Sequence, residues 1–254
     1  MKEKDLIEFI GELAQESGQI IRHHFSNPDL EVEFKKDETP VTVADRKAEE
    51  IMREIIEDKF PNHGIIGEEL GSIRNDAEYI WVLDPIDGTQ AFAKACPLFG
   101  TLICLTKNGQ PILGAIHQPL LNQLLIGNNE TANLNGRQVR VSDTNNLHDA
   151  DLLCGYLKSP AIHQNGLNWE NLTKKTKTLH TWGDCYGYLL VATGNADIAV
   201  DPIMNSWDLL ALIPIIQGAG GVISDWQGND PVKGSSIVAT NPHLHQEVID
   251  ILNA

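Results

Sequence analysis

The residues best suited to chemistry in this chain are carboxylates set in three short stretches. Residues 81–89 read WVLDPIDGT and hold Asp84 and Asp87 three positions apart around a proline. Upstream, IIGEELG carries Glu68 and Glu69, and far downstream NSWDLLA carries Asp208. An apolar strand over YIWVL puts Asp84 at its C-terminal end, where α/β folds gather their ligands, and Pro85 turns the chain so that Asp87 re-enters the same space. The Gly88–Thr89 step then leads into QAFAKA, a predicted helix start whose unpaired N–H groups suit a phosphate. Carboxylates gathered there repel the anion and one another. At about 4 Å and an effective dielectric of ~20, each like-charged pair costs roughly 4 kcal/mol. Cations between the acids and the phosphate would offset that cost, and hard oxygen ligands of this kind suit Mg²⁺. The residues alone leave two readings open: metal-assisted phosphoryl transfer to water, or turn-forming aspartates, since Asp-Pro and Asp-Gly are common turn steps.

Hydrophobic periodicity predicts the elements that position these acids. Leu6, Ile10, Leu13 and Ile20, with Ala14 and Ile21, form one stripe of a helix reaching about Phe25. ADRKAEEIMREIIEDKF repeats the pattern and stops before Pro61. GIIGEE, YIWVLD, FGTLICLTKNG, PILGAIHQP, QLLIGNNE and NGRQVRVS then read as strands between Gly, Asn and Pro turns. Thereafter strand and helix alternate: strand ADLLCGYL, helix CYGYLLVATGN ending at Gly194, strand ADIAVD, helix SWDLLALIPIIQGAGG, strands GVISDW and SIVAT. A last helix, PHLHQEVIDIL, has Asn241 as its predicted N-cap. The expectation is an α/β layered fold, one catalytic domain over 1–254 with two lobes, approximately 1–140 and 141–254, sharing a cleft.

A net charge of −16 over 254 residues argues against nucleic acid or an anionic membrane as partner. The four cysteines form no CxxC pair, and no apolar stretch approaches bilayer length, so a cytoplasmic protein with reduced thiols is expected. GAGG at 218–221 follows a predicted helix and precedes a strand, the reverse of a dinucleotide-binding loop. The histidines read as surface residues, and Trp182 as either pocket-lining or core.

PVTVADRKAEEIMREIIEDKFPNHGIIGEE, WVLDPIDGTQAF and SWDLLALIPIIQGAGGVISDW resemble, in that order and over nearly the whole chain, the signatures of the inositol monophosphatase family. The resemblance implies a Mg²⁺-dependent phosphomonoesterase related in fold to fructose-1,6-bisphosphatase, with two to three ions. By resemblance, Glu68, Asp84, Asp87, Asp208 and the Ile86 carbonyl are the metal ligands. Thr89, with Asp45 as its acidic partner, orients the attacking water, and Glu68 shares in catalysis through the ion it holds. The Gly88 and Thr89 N–H groups hold phosphate, and a homodimer is implied. Asp45 and Thr89 have a plain alternative as helix caps. A scaffold that keeps the fold without turnover would be expected to lack a ligand, and every expected ligand is present.

PLFGTLICL and WGDCYGYLLVATGNADIAVDP look most like the histidinol-phosphate phosphatase branch. Asp184 and Asp201, the latter seven residues before Asp208, would then pair with the cationic end of L-histidinol phosphate. Inositol phosphate or another small phosphate ester is the alternative substrate. Asp184 also has a plain reading as a helix N-cap, and Gln90 and Trp207 depart from the residues more usual in that branch.

Overall fold

The structure, a computed structural model, describes residues 2–27, 32–34 and 40–254. α1 (Glu3–His24) buries Leu6, Phe9, Ile10, Leu13, Ala14 and Ile21, the predicted stripe with Phe9 added and with Ile20 only partly buried. A small ladder of β1 (Val32–Phe34) and β2 (Pro40–Thr42) precedes α2 (Val43–Lys59).

An eight-stranded sheet follows: β3 (Gly64–Gly67), β4 (Gly71–Ile73), β5 (Tyr79–Asp87), β6 (Gly100–Lys107), β7 (Gln110–Gln118), β8 (Gln123–Gly127), β9 (Ala132–Leu134) and β10 (Arg137–Val139), with α3 (Thr89–Ala93) between β5 and β6. Its spatial order is β10-β9-β8-β7-β6-β5-β3-β4. The pairings are antiparallel except β3 with β5, which is parallel. Side chains alternate across a strand. Trp81, Leu83, Ile103 and Leu105 pack under α1 and α2. Val82, Leu102 and Cys104 face the opposite way, toward the second half of the chain. The same alternation puts Asp84 on the Val82 face.

The second half builds a five-stranded sheet, β12-β11-β13-β15-β14. In chain order its elements are β11 (Asp151–Cys154), α4 (Ser159–His163), α5 (Gly166–Lys175), β12 (Thr178–His180), α6 (Asp184–Ala192), β13 (Ile198–Asp201), α7 (Ser206–Leu209), α8 (Leu212–Gly218), β14 (Val222–Ser224), β15 (Ile237–Thr240) and α9 (His245–Leu252). Leu153, Ala199 and Ala239 share a core with α6, α8 and the first sheet. On the other face, Leu152, Ile198, Val200 and Val238 pack against Trp169, Leu172, Val248 and Leu252 from α5 and α9. The layers therefore run helix, sheet, helix, sheet, helix. No described helix is long and apolar enough to cross a membrane.

Three local expectations need correction. YIWVLD does not end in a turn at Pro85: β5 continues to Asp87 through a bulge, because Asp84 pairs with Leu102 while Asp87 pairs with Gly100. The single helix expected over SWDLLALIPIIQ is interrupted between α7 and α8. Leu210 and Ala211 keep helical angles, but Pro214 has no N–H to give the Leu210 carbonyl. Asn241 caps only a turn, accepting from the N–H groups of His243 (2.9 Å) and Leu244 (3.2 Å), and α9 starts after it. The GAGG segment does close a helix: α8 ends at Gly218, and Gly220 takes the left-handed φ of 81°.

α8 lies directly on β7 and β8 because the contact is made by glycines. Gly114 and Gly127 face each other across the ladder. A Cβ on Gly127 would stand 2.4 Å from Ile215 Cα, and one on Gly114 would stand 2.0 Å from the Ala211 carbonyl oxygen. Neither obstacle is a flexible side chain, so the helix itself would have to move. Gly127→Ala is expected to lower stability by about 1–3 kcal/mol, read as a drop of several degrees in the calorimetric midpoint; an unchanged midpoint would mean that α8 is not seated this closely.

Candidate active site

The bulge in β5 is the origin of the site. Two residues, Pro85 and Ile86, stand opposite the single Thr101, so Asp84 and Asp87 turn toward one space. Proline suits this position because it has no ladder N–H to lose. The distortion is satisfied locally: Thr101 Oγ1 donates to the Pro85 carbonyl (2.9 Å), and the Ile86 N–H donates to Asp84 Oδ1 (3.0 Å). Gly67 lies opposite Leu83 in the parallel β3–β5 ladder, and the Glu68 N–H donates to the Leu83 carbonyl (3.1 Å). Glu68 therefore comes to stand beside Asp84.

Asp208 arrives from the far half of the chain, on α7. Its Oδ2 accepts from the Asn205 N–H (2.9 Å) in a reciprocal cap that fixes the side chain. One carboxylate oxygen each from Asp84, Asp87 and Asp208 lies within 4.8 Å of the others. Glu68 lines the same cavity, of about 570 Å³, as do Ile86, Gly88, Thr89, Asp184 and Asp201. A second cavity of about 330 Å³, between Ile7 of α1 and the β8–β9 hairpin, holds no titratable side chain.

Burial raises the aspartates of this cavity. Asp84 and Asp87 are pushed well above the usual carboxylate range, first by burial, then by neighbouring charge. Glu68, Asp87 and Asp208 act on Asp84; Asp184 and Asp208 act on Asp87. Asp208 is raised to about 6 by burial, against the opposing Asn205 N–H. This is how carboxylates behave when a cation is wanted among them. The donor set, all hard oxygen, fits Mg²⁺.

Asp45 sits at the third position of α2, wholly buried, and burial raises it to about 6. Its Oδ2 accepts from the Thr42 N–H (2.8 Å) and Thr42 Oγ1 (2.6 Å), completing a capping box. Its Oδ1 lies 3.3 Å from Thr89 Oγ1, which is also 3.0 Å from the Ile86 carbonyl. The capping role and the contact with Thr89 coexist, one on each oxygen. Thr89 itself opens the five-residue α3 behind Gly88, whose φ is 89°.

Asp184 opens α6 with a left-handed backbone (φ 51°), a conformation aspartate tolerates better than most residues. Among the described residues, its carboxylate receives no hydrogen bond from the first turn of α6. It lies instead against Gly88, where an added Cβ would stand 2.8 Å from Asp184 Oδ2. The following N–H, of Cys185, donates to Asp87. Asp201 ends β13, and Tyr188, one turn after Asp184 on α6, donates to its Oδ2 (2.8 Å). Burial raises Asp184 to about 6 and Asp201 to about 7, the latter against the Tyr188 hydrogen bond.

Glu68, Asp84, Asp87, Asp184, Asp201 and Asp208 thus border one cavity; Asp45 reaches it through Thr89, and Glu69 does not line it. Tyr188 and the Cys185 N–H were not anticipated, although the four-residue step from Asp184 to Tyr188 carried a signal. Trp182 neither lines the cavity nor enters the core: it is 45 % exposed and stacks on His180, with ring centroids 4.1 Å apart. No described histidine lines the cavity, and His245 is half-buried rather than on the surface, its Nδ1 3.3 Å from Thr240 Oγ1.

The profile of the inositol monophosphatase family matches residues 2–254. The chain belongs to that family. Within it, the chain is 37 % identical to a histidinol-phosphatase of Chlorobaculum parvum, over 94 % of this chain and 93 % of the relative. It is 39 % identical to the chloroplastic bifunctional phosphatase IMPL2 of Arabidopsis thaliana, over 94 % of this chain and 72 % of that protein. Among solved structures, an inositol monophosphatase from Zymomonas mobilis superposes with a TM-score of 0.88 at 34 % identity, covering all of both chains. The fold is that of the inositol monophosphatases, and the protein is a phosphoric monoester hydrolase.

The raised acids carry a stability prediction. Each binds its proton more tightly folded than unfolded, where an aspartate titrates near 3.9. The metal-free fold therefore holds its full advantage below about pH 4 and loses it as pH rises through 6 to 7. Metal-free protein is expected to melt at a lower temperature at pH 7.5 than at pH 5, and Mg²⁺ is expected to raise the midpoint more at pH 7.5. Metal-free Asp84→Asn should melt above the wild type at pH 7.5 and be inactive. Differential scanning fluorimetry with a chelator and a Mg²⁺ series reads all of this; an Asp84→Asn protein that does not fold would contradict it.

Proposed function

We propose that this protein hydrolyses L-histidinol phosphate to L-histidinol and phosphate, as the histidinol-phosphatase step of histidine biosynthesis. The observation that carries the substrate is a second carboxylate pair, Asp184 and Asp201, on the same cavity as the Asp84–Asp87–Asp208 cluster. A substrate with an ammonium group and an imidazole gives that pair an oppositely charged partner, which a neutral polyol does not. Relatives named histidinol-phosphatase at 34 % and 37 % identity support the reading. An inositol-1-monophosphatase of Caulobacter vibrioides at 31 % identity keeps hydrolysis of an inositol phosphate as the alternative.

In this reading Glu68, Asp84, Asp87, Asp208 and the Ile86 carbonyl hold two to three Mg²⁺ ions. When bound, those ions lower the pKa of water and neutralise charge on the attacking and leaving oxygens. The chain's own residues do the rest. The Gly88 and Thr89 N–H groups take the phosphate oxygens. Thr89 Oγ1, by donating to Asp45, leaves a lone pair to accept a hydrogen bond from the attacking water and so aims the water oxygen at phosphorus. Asp45, near 6, is mostly ionised at pH 7.5 and can serve as that acceptor. Water adds to phosphorus as the ester P–O bond breaks, the alcohol leaves with a proton, and no phosphorylated side chain forms. We take the chain to work as one catalytic domain of two lobes, 1–140 and 141–254, and as a cytoplasmic homodimer.

Phosphate release from L-histidinol phosphate and from myo-inositol 1-phosphate, side by side with Mg²⁺, tests the substrate. The expected result is at least a tenfold higher kcat/KM for histidinol phosphate. Asp184→Asn should lose tenfold or more on that ester and less than threefold on an aryl phosphate. Equal losses on both esters would remove Asp184 from substrate recognition, and a preference for the inositol ester would discard the assignment.

A further inference from the structure

We infer that Glu49 is a positioning residue for the metal site, setting the loop that presents Glu68 to the cavity. The inference rests on the reading of Glu68 as a metal ligand. Glu49 is one turn beyond Asp45 on α2 and is fully buried. It lines no part of the cavity, and nothing in the family signatures drew attention to it.

Its carboxylate is used from three sides. Oε2 accepts from the Glu69 N–H (2.8 Å), Oε1 accepts from the Leu70 N–H (3.2 Å), and Oε1 also accepts from Arg53 Nε (2.7 Å). Arg53, a further turn along α2, donates through Nη2 to the Gly71 carbonyl. Successive backbone groups from 69 to 71 are thus tied to one face of a rigid helix. The residue before Glu68 completes the fit: a Cβ on Gly67 would stand 1.9 Å from Glu49 Oε1. Glycine at 67 is the space into which the carboxylate packs.

Backbone on the other side of Glu68 is fixed by the β3–β5 ladder, through the Glu68 N–H and the Leu83 carbonyl. Glu68 therefore leaves a strand end on one side and enters a carboxylate clamp on the other, and its side chain is held toward Asp84. A buried carboxylate that accepts two N–H bonds and a guanidinium bond is well compensated. Removing its charge leaves donors facing donors, since the amide of glutamine must present an NH₂ to one of those N–H groups. The loop would then be free to draw Glu68 away from Asp84 while the Asp84–Asp87–Asp208 cluster stayed in place.

The test compares wild type, Glu49→Gln, Arg53→Met and Glu68→Gln by two readouts: the Mg²⁺ concentration for half-maximal activity, and the Mg²⁺-induced rise in melting temperature. Glu49→Gln is expected to need at least tenfold more Mg²⁺ and to lose part of the thermal shift, while KM for the ester at saturating Mg²⁺ moves less than twofold. Arg53→Met, which keeps both N–H bonds, is expected to shift the Mg²⁺ requirement about threefold in the same direction. It also decides the matter if Glu49→Gln does not fold. If Glu68→Gln raises the Mg²⁺ requirement and neither α2 variant does, Glu49 is a structural residue only. Should Glu68→Gln itself leave the requirement unchanged, the reading of Glu68 as a ligand fails, and the positioning role fails with it.

Discussion

The constraint on which this molecule depends is the mutual repulsion of buried carboxylates that the fold nevertheless holds together. Asp84, Asp87 and Asp208 lie within 4.8 Å of one another, and Glu68 and Asp184 add their charge. Nothing in such a cluster stabilises the folded chain without cations. The cost must be carried by the packed layers around it, and those layers are where the apolar sequence is spent. α1 and α2 bury one face of the first sheet, and α6 and α8 the other. Glycines at 114 and 127 bring α8 onto β7 and β8 at backbone contact.

Rigidity at the site follows from the same need. Four of the acids are held by a backbone N–H or a local cap rather than by their own side-chain preference. Asp84 is held by the Ile86 N–H, Asp87 by the Cys185 N–H, Asp208 by the Asn205 N–H, and Asp45 by Thr42. A carboxylate fixed in this way cannot swing out to water when unpaired, so the site is organised before an ion arrives. α2 makes the largest single contribution. Asp45, Glu49 and Arg53 fall at steps of four residues on one face, and they govern in turn Thr89, the Glu68 loop and Gly71.

Much of this was legible in the sequence, and the parts that were not share a cause. Long periodic segments declared themselves: α1, α2, β3, β5, β6 and β7 follow from apolar spacing and the turns between them, whereas the three-residue strands β1, β2 and β4 do not. The carboxylates in DPIDG stood out by type and spacing. Missed was whatever depended on a partner distant in the chain. The bulge at Pro85 exists because Thr101 on β6 is there to satisfy it. The break before α8 follows from Pro214, which has no N–H to give the Leu210 carbonyl. The stretch from 159 to 180 shows little periodicity, yet it holds α4, α5 and β12, because Asn165 caps α5 and Trp169 and Leu172 pack against α9. Nothing in the spacing of α2 marks Glu49 as interior; Gly67 and Arg53, from elsewhere in the fold and the next turn, make it so.

Charge balance bears on why one cavity should hold two sets of acids. Glu68, Asp84, Asp87 and Asp208 sum to −4 when ionised, a charge that two divalent cations would neutralise. Asp184 and Asp201 remain on the same cavity, with pKa values raised to about 6 and about 7. Without a cation beside them, ionisation of this pair is disfavoured near neutral pH, and a protonated carboxyl there offers an O–H to a hydroxyl-rich ligand. With an ammonium or imidazolium beside them, both stay ionised and the favourable energy of the pairing is expressed in a low-dielectric pocket. The Tyr188 hydroxyl leans toward the second state, because its hydrogen bond stabilises the ionised form of Asp201. The same hydrogen bond leaves Asp201 less ready to hold a proton than burial alone would make it.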